Sequence, residues 1–274
     1  MRAGSPSGDT GAVRRSVSCF LTAQVVDPTS LELQVTVAAP RTEELLVTVD
    51  GAAVELDEVR TGLGRLHVGR VPAGRLEVRY RATVEGRTEP LLGDALEVST
   101  YLRPSRYSES DRLAALAAAH FAGLTDPAEL LPAVSAFVGS RLAYVSGSSR
   151  GTDGAVDTLL AGAGVCRDFA HLAVALLRAR DVPARLAAVY APGLSPMDFH
   201  AVVEALVDGV WLVADPTLLA PRSSLLRIAT GRDAADTAFL SNYGGEVRLE
   251  AVEVLAVVDG ELPVDDLGRS VSLG

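Results

Sequence analysis

Apolar and polar positions alternate with a period of two along much of the first hundred residues. Leu31, Leu33, Val35 and Val37 interleave with Glu32, Gln34 and Thr36, the pattern of a half-buried strand. Leu45 to Val49 forms another such run, and the Asp50-Gly51 pair behind it is a strong two-residue hairpin signal. Arg65 to Val68 and Leu76 to Val84 read as further strands. Residues 15–100 are therefore predicted to form a small antiparallel β-sandwich. Residues 1–14, made of Gly, Ser, Pro and charge, are predicted to be a flexible arm.

After Tyr101 the period lengthens. Ser108 with Asp111 three residues on resembles a capping box for a helix reaching about Ala122. Asp126-Pro127 opens a second helix, with Leu130, Leu131, Val134, Phe137 and Val138 as its apolar stripe. A Gly/Ser/Asp-rich loop covers Ser146 to Gly154, and loops of that kind often border sites. A third helix is expected from near Cys166 to about Arg180, stopping before Pro183.

Phe199 to Leu206 then reads as a strand, Asp208-Gly209 as a turn, and Val210 to Asp215 as the return strand. In the register set by that turn, His200 and Asp215 are diagonal neighbours on one face. The opposite face collects Ala201, Val203, Ala205, Val207, Val210, Leu212 and Ala214, which suits a core, and a slip of one residue would scramble this segregation.

Composition narrows the class. Of 274 residues, 48% are apolar and 22% charged, enough for a packed core, but only 5% are aromatic, so Val, Leu and Ala must fill it. The net charge is -10 and no basic stripe is present, which argues against nucleic acid or an anionic membrane as partner. All 25 basic side chains other than His are Arg, so an enzyme joining acyl groups to amines would find no Lys on itself. Cys19 and Cys166 are too few for a disulfide framework, and no apolar h-region follows the N-terminal arginines. Free thiols in a cytoplasmic protein are expected. No calcium-loop pattern occurs, and a metal site from Cys166, His171 and His200 would lack the usual ligand spacings, so no metal or other cofactor is expected.

Cys166 falls in the first turn of its helix, where backbone N–H groups lack partners and a thiol ionises more readily. The residues there fit two readings, a reactive thiol or a cysteine packed as a small hydrophobe. Downstream, a His and a carboxylate placed side by side supply the base and the orienting group that a nucleophile requires. His171 is turned away from Cys166 on the helix and is read as a packing or hydrogen-bonding residue; Asp168 is read as compensation of the helix dipole.

The segment Gly164-Val165-Cys166-Arg167-Asp168-Phe169-Ala170-His171 resembles the cysteine motif of bacterial transglutaminase-like proteins. Asp198-Phe199-His200-Ala201 resembles their histidine motif, and Trp211 to Thr217 their aspartate motif, in the family's order. Tyr101 to Tyr107 resembles the junction between an N-terminal β domain and the catalytic domain. The resemblance implies an α+β fold, with a papain-like catalytic domain over residues 101–274 preceded by the β-sandwich. It makes Cys166 the nucleophile, His200 the general base and acid, and Asp215 the orienting carboxylate. It implies thiol-dependent acyl transfer on a glutamine carboxamide or peptide bond of a protein or peptide substrate, through a thioester. The alternative is a catalytically inactive binding or scaffold module on the same fold. Val202 stands where many family members have Trp, and no Gln precedes the cysteine as an oxyanion donor, so the Cys166 N–H is one donor and Tyr144 a candidate for the second.

Overall fold

The computed structural model describes residues 13–273. The first part of the chain contributes seven strands: β1 (Arg14–Val25), β2 (Thr29–Leu33), β3 (Thr42–Val49), β4 (Ala52–Ala53), β5 (Asp57–Thr61), β6 (Gly64–Val71) and β7 (Gly74–Glu85). Three helices come next, α1 (Ala95–Tyr101), α2 (Ser110–His120) and α3 (Pro127–Arg141). Short strands β8 (Ala143–Tyr144) and β9 (Ala163–Gly164) flank α4 (Ala155–Ala161) and lead to α5 (Cys166–Arg178). The chain ends in β10 (Ala184–Tyr190), β11 (Phe199–Val207), β12 (Val210–Ala214), β13 (Leu226–Gly231), β14 (Leu240–Tyr243) and β15 (Val247–Val258).

Two large antiparallel sheets result, making a mixed α+β fold. One runs β15-β1-β7-β3-β4; the other runs β12-β11-β10-β13-β6-β2-β14, with β5 added on β6. Hydrogen bonding thus crosses the residue-100 boundary in both sheets. β15 pairs with β1 from Arg15↔Val258 to Val25↔Val247, and β6 touches β13 through Gly64↔Ala229. The β-sandwich expected over 15–100 is completed by strands from the far end of the sequence. Its core joins Val17, Leu21, Leu31, Leu33, Leu76 and Val78 to Tyr190, Leu226 and Ile228.

The Asp50-Gly51 hairpin forms as expected, with φ of 50° and 80° at its two central residues. The expected arm lies outside the described residues apart from Val13 and Arg14, and Arg14 already opens β1. The capping box expected at Ser108 does not form. Glu109 is the N-cap of α2 without a side-chain bond, because Ser108 is fully buried and donates its hydroxyl to the His171 carbonyl (3.3 Å). At α3 the Asp126 cap forms as expected, accepting from the Ala128 N–H (2.9 Å).

Helix α5 is the axis of the second core. Phe169, Leu172, Val174, Leu176 and Leu177 are all buried, against α2 and α3 on one side and Val203, Ala205 and Val207 of β11 on the other. Each such side chain stabilises by roughly 2 kcal/mol on burial. A helix enclosed on every side cannot rotate or slide without losing several of these contacts. Its first residue is therefore held firmly.

Candidate active site

That first residue is Cys166. Val165 precedes it as N-cap, and the Asp168 carboxylate reaches back to the Val165 N–H at 2.9 Å. The same carboxylate accepts from the Ser149 hydroxyl (2.5 Å) and from Arg167 Nε and Nη2 (3.0 and 2.8 Å). Arg167 also donates to the Ser149 hydroxyl and to the Arg150 carbonyl. Asp168 does more than balance the helix dipole: it ties the 146–154 loop to the start of α5. Gly164 is required by close approach, since a Cβ there would lie 2.7 Å from that of Asp168. Cys166 is half-buried against Ala170, Leu186 and Ala201, whereas Cys19 is buried in the sandwich core, which pushes its thiol up to about 12.

The β11–β12 hairpin has the register its turn dictates, Val207↔Val210 through Val203↔Ala214. Asp208 and Gly209 take φ of 48° and 79°, the left-handed pair that Asp-Gly favours. His200 and Asp215 meet as diagonal neighbours, Nε2 to Oδ2 at 2.8 Å, both side chains 0% exposed. Thr217 fixes the other oxygen of Asp215 through its N–H (2.9 Å) and hydroxyl (2.6 Å). Burial pulls the His200 pKa down, but the Asp215 carboxylate and then the neighbouring Cys166 thiol outweigh it, and the imidazolium is held up to about 10. Burial pushes Asp215 up, and the His200 charge and the hydrogen bonds of His200 and Thr217 more than reverse that. Nδ1, the second ring nitrogen of His200, is buried with no hydrogen-bond partner among the described residues. Sulfur, imidazole and carboxylate thus stand in one group.

Tyr144 approaches from another side. Its strand β8 lies parallel to β9, pairing Tyr144 with Gly164, and its ring packs 6.0 Å from that of Phe169. The Tyr144 hydroxyl lies close to both the backbone N–H and the sulfur of Cys166; burial, then the nearby sulfur, raises its pKa. His171 is remote from this chemistry. Its Nε2 accepts the Ala234 N–H at 3.0 Å and its ring stacks on Tyr107, so it is a neutral packing residue, its pKa lowered by burial to about 4.

One support of the site, the ion pairing of Glu204, is not predicted by the strand pattern. Glu204, on the same strand as His200, is fully buried between Arg185 of β10 (2.8 Å) and Arg227 of β13 (2.6 Å), tying β11 to the next two strands of the sheet. An Arg within the otherwise apolar strand Ala184–Tyr190 was the available signal. A cavity of about 490 Å³, lined by Ser135, Gly139, Asp215, Thr217, Leu218 and Leu267 among others, lies against Asp215. Among the described residues no group of three metal-ligating side chains assembles, and no helix is long and apolar enough to cross a membrane.

Residues 114–216 match the model of the transglutaminase-like superfamily. The crystal structure of a candidate cysteine protease from Cytophaga hutchinsonii superposes with a TM-score of 0.84 at 31% identity, covering 96% of this chain and 98% of that one. Uncharacterized protein ML0607 of Mycobacterium leprae (strain TN) is 29% identical over 157 residues; the match takes in 53% of this chain and 55% of that protein, so it spans little more than half of its length. The periplasmic domain of TgpA from Pseudomonas aeruginosa is a distant likeness, with a TM-score of 0.40 and 19% identity. The chain belongs to the transglutaminase-like superfamily and has a cysteine-type catalytic fold.

Proposed function

We propose that the protein is a thiol enzyme that transfers acyl groups from a glutamine carboxamide or peptide bond, with Cys166 as nucleophile, His200 as acid and base, and Asp215 as orienting carboxylate. One observation carries this reading: a fully buried His200–Asp215 pair at 2.8 Å whose second ring nitrogen is left without a hydrogen-bond partner among the described residues, on a ring that neighbours the Cys166 thiol. A charged imidazole beside a sulfur in the first turn of a helix is the acid–base partner that nucleophilic catalysis requires.

The thiolate attacks the substrate carbonyl, and the oxyanion is met by the Cys166 N–H and, in this reading, by the Tyr144 hydroxyl. His200 passes its proton to the departing ammonia or amine, leaving a thioester on Cys166 and a neutral imidazole. An amine or water then attacks the thioester, His200 takes the proton released, and the thiolate departs to restore the ion pair. Asp215 holds the ring in one orientation and balances its charge in both half-reactions. The substrate is a protein or peptide. Two free thiols and no disulfide among the described residues support a reducing setting, and we assign the reaction to the cytoplasm.

The test is incubation with a glutamine-containing peptide, with and without a labelled primary amine. Wild type is expected to release ammonia and to form a thioester adduct on Cys166 detectable by intact mass, while Cys166→Ala and His200→Ala give neither. Amine label in the peptide identifies transfer; cleaved or deamidated peptide identifies hydrolysis. Because the chain has no Lys, label on the enzyme itself is not expected. A wild-type protein that forms no adduct with any carboxamide or peptide donor overturns the proposal.

A further inference from the structure

Asp198 sits two residues before His200, at the end of the segment joining β10 to β11, and is exposed. One of its oxygens accepts the Phe199 N–H at 2.7 Å, which fixes the carboxylate at the start of β11 and leaves the other oxygen to solvent. Standing two residues before His200, directly ahead of the strand that carries the imidazole, the carboxylate is near the site, and its charge is felt at the Tyr144 hydroxyl. Arg167, next to Cys166 in sequence, does not neutralise it. That guanidinium is engaged by Asp168 at 2.8 Å, by Ser149 and by the Arg150 carbonyl. Met197, next to it in the chain, and Tyr144 are exposed, at 39% and 46%, and offer apolar surface near the carboxylate. A methylene stem ending in a positive charge matches such a surface better than an acidic or a short polar side chain.

We propose that Asp198 is a specificity-determining residue that selects acyl donors carrying a basic side chain beside the reacting carbonyl. The inference rests on the acyl-transfer reading above and names the donor that the site prefers. The protein's net charge of -10 acts in the same direction, raising the local concentration of cationic peptides. Asp198 takes no part in bond making: the thioester forms and is resolved as already described. Being exposed, its pairing is screened, so the preference is modest and depends on salt.

The experiment uses three peptides, identical but for Arg, Ala or Glu next to one glutamine, and hydroxylamine as acceptor. Hydroxylamine is neutral near pH 7.5, so acceptor charge does not confound the comparison, and hydroxamate is read by colour with ferric ion. The Arg peptide is expected to exceed the Ala peptide about threefold in kcat/KM at low salt, with the Glu peptide below both. Asp198→Asn, whose amide oxygen can still accept the Phe199 N–H, should leave the Ala peptide unchanged and abolish the Arg preference, as should 0.5 M salt for wild type, roughly. Hydroxamate formed equally from all three peptides, or an Arg preference that survives in Asp198→Asn, overturns this inference and leaves the acyl-transfer reading standing. Hydroxamate from none of them overturns both.

Discussion

Replacing Asp215 by Asn keeps the shape of the site and removes the charge opposite His200. In the wild type the imidazolium is lifted from an ordinary 6.5 to about 10 against the pull of burial. At 1.36 kcal/mol per pH unit, that lift corresponds to roughly 5 kcal/mol favouring the charged ring. Breaking a buried ion pair typically costs about 3–5 kcal/mol, the same range. The sign follows from the direction of each shift. His200 is raised, so its contribution to stability is complete below pH 6.5 and is lost as pH climbs through about 10. Asp215 is lowered, so the pair also fails when pH falls through that depressed carboxylate value. In Asp215→Asn the downward pull of burial is left unopposed by a carboxylate, and His200 loses its charge near neutrality. The stability gap between wild type and variant should be largest near pH 6, at about 3–5 kcal/mol, and should shrink steadily toward pH 10. Urea unfolding at a series of pH values measures it, followed by the fluorescence of Trp211, the one Trp of the chain and fully buried. Activity should fall by about ten-thousand-fold at pH 7.5, the scale reached elsewhere when an orienting carboxylate is neutralised. A gap that stays constant from pH 6 to 10 would refute the charged-pair reasoning.

Three shorter tests bear on the rest of the site. Iodoacetamide at pH 6.5 should alkylate Cys166 and leave Cys19, whose thiol burial raises to about 12, untouched; His200→Ala should slow Cys166 to the rate of an ordinary thiol, and equal labelling of both cysteines would count against the thiolate. Tyr144→Phe removes the candidate oxyanion donor and should lower kcat on the order of a hundredfold with little change in KM; an unchanged kcat would exclude that role. Gly139→Ala puts a Cβ 2.6 Å from the Pro216 carbonyl, beside Asp215. Its clash of about 1–3 kcal/mol exceeds the roughly 1 kcal/mol gained in helix propensity, so a lower melting temperature and slower Cys166 alkylation are expected, and a gain in both would contradict the packing described.

Much of the site is legible in the sequence because its parts are set locally. A two-residue Asp208-Gly209 turn admits one register, and that register alone makes diagonal neighbours of residues 200 and 215. Cys166 in the first turn of a helix followed from Gly164 and the apolar run behind it, and the helix ends at Arg178, ahead of Pro183. The reading of His171 as a packing residue rested on helical spacing, and its bond to Ala234 agrees.

What the tertiary structure decided lies at long range. The approach of the Cys166 sulfur to His200 depends on α5 packing against β11, a contact between elements that no local period relates. The strand-like reading of residues 15–100 holds as far as Glu85 and fails at Ala95–Tyr101, which is helical, and β15, more than 150 residues beyond β7, supplies the edge of that sheet. Ser108 has the local chemistry of a cap, but burial against α5 turned its hydroxyl to the His171 carbonyl instead. Arg185 and Arg227 lie 42 positions apart in the chain, and only the fold sets Glu204 between them. Turns and helix starts are governed by bonds between residues a few positions apart, and these are written in sequence. Sheet order and buried ion pairs are chosen by competition for burial across the whole chain, and only the folded molecule resolves it.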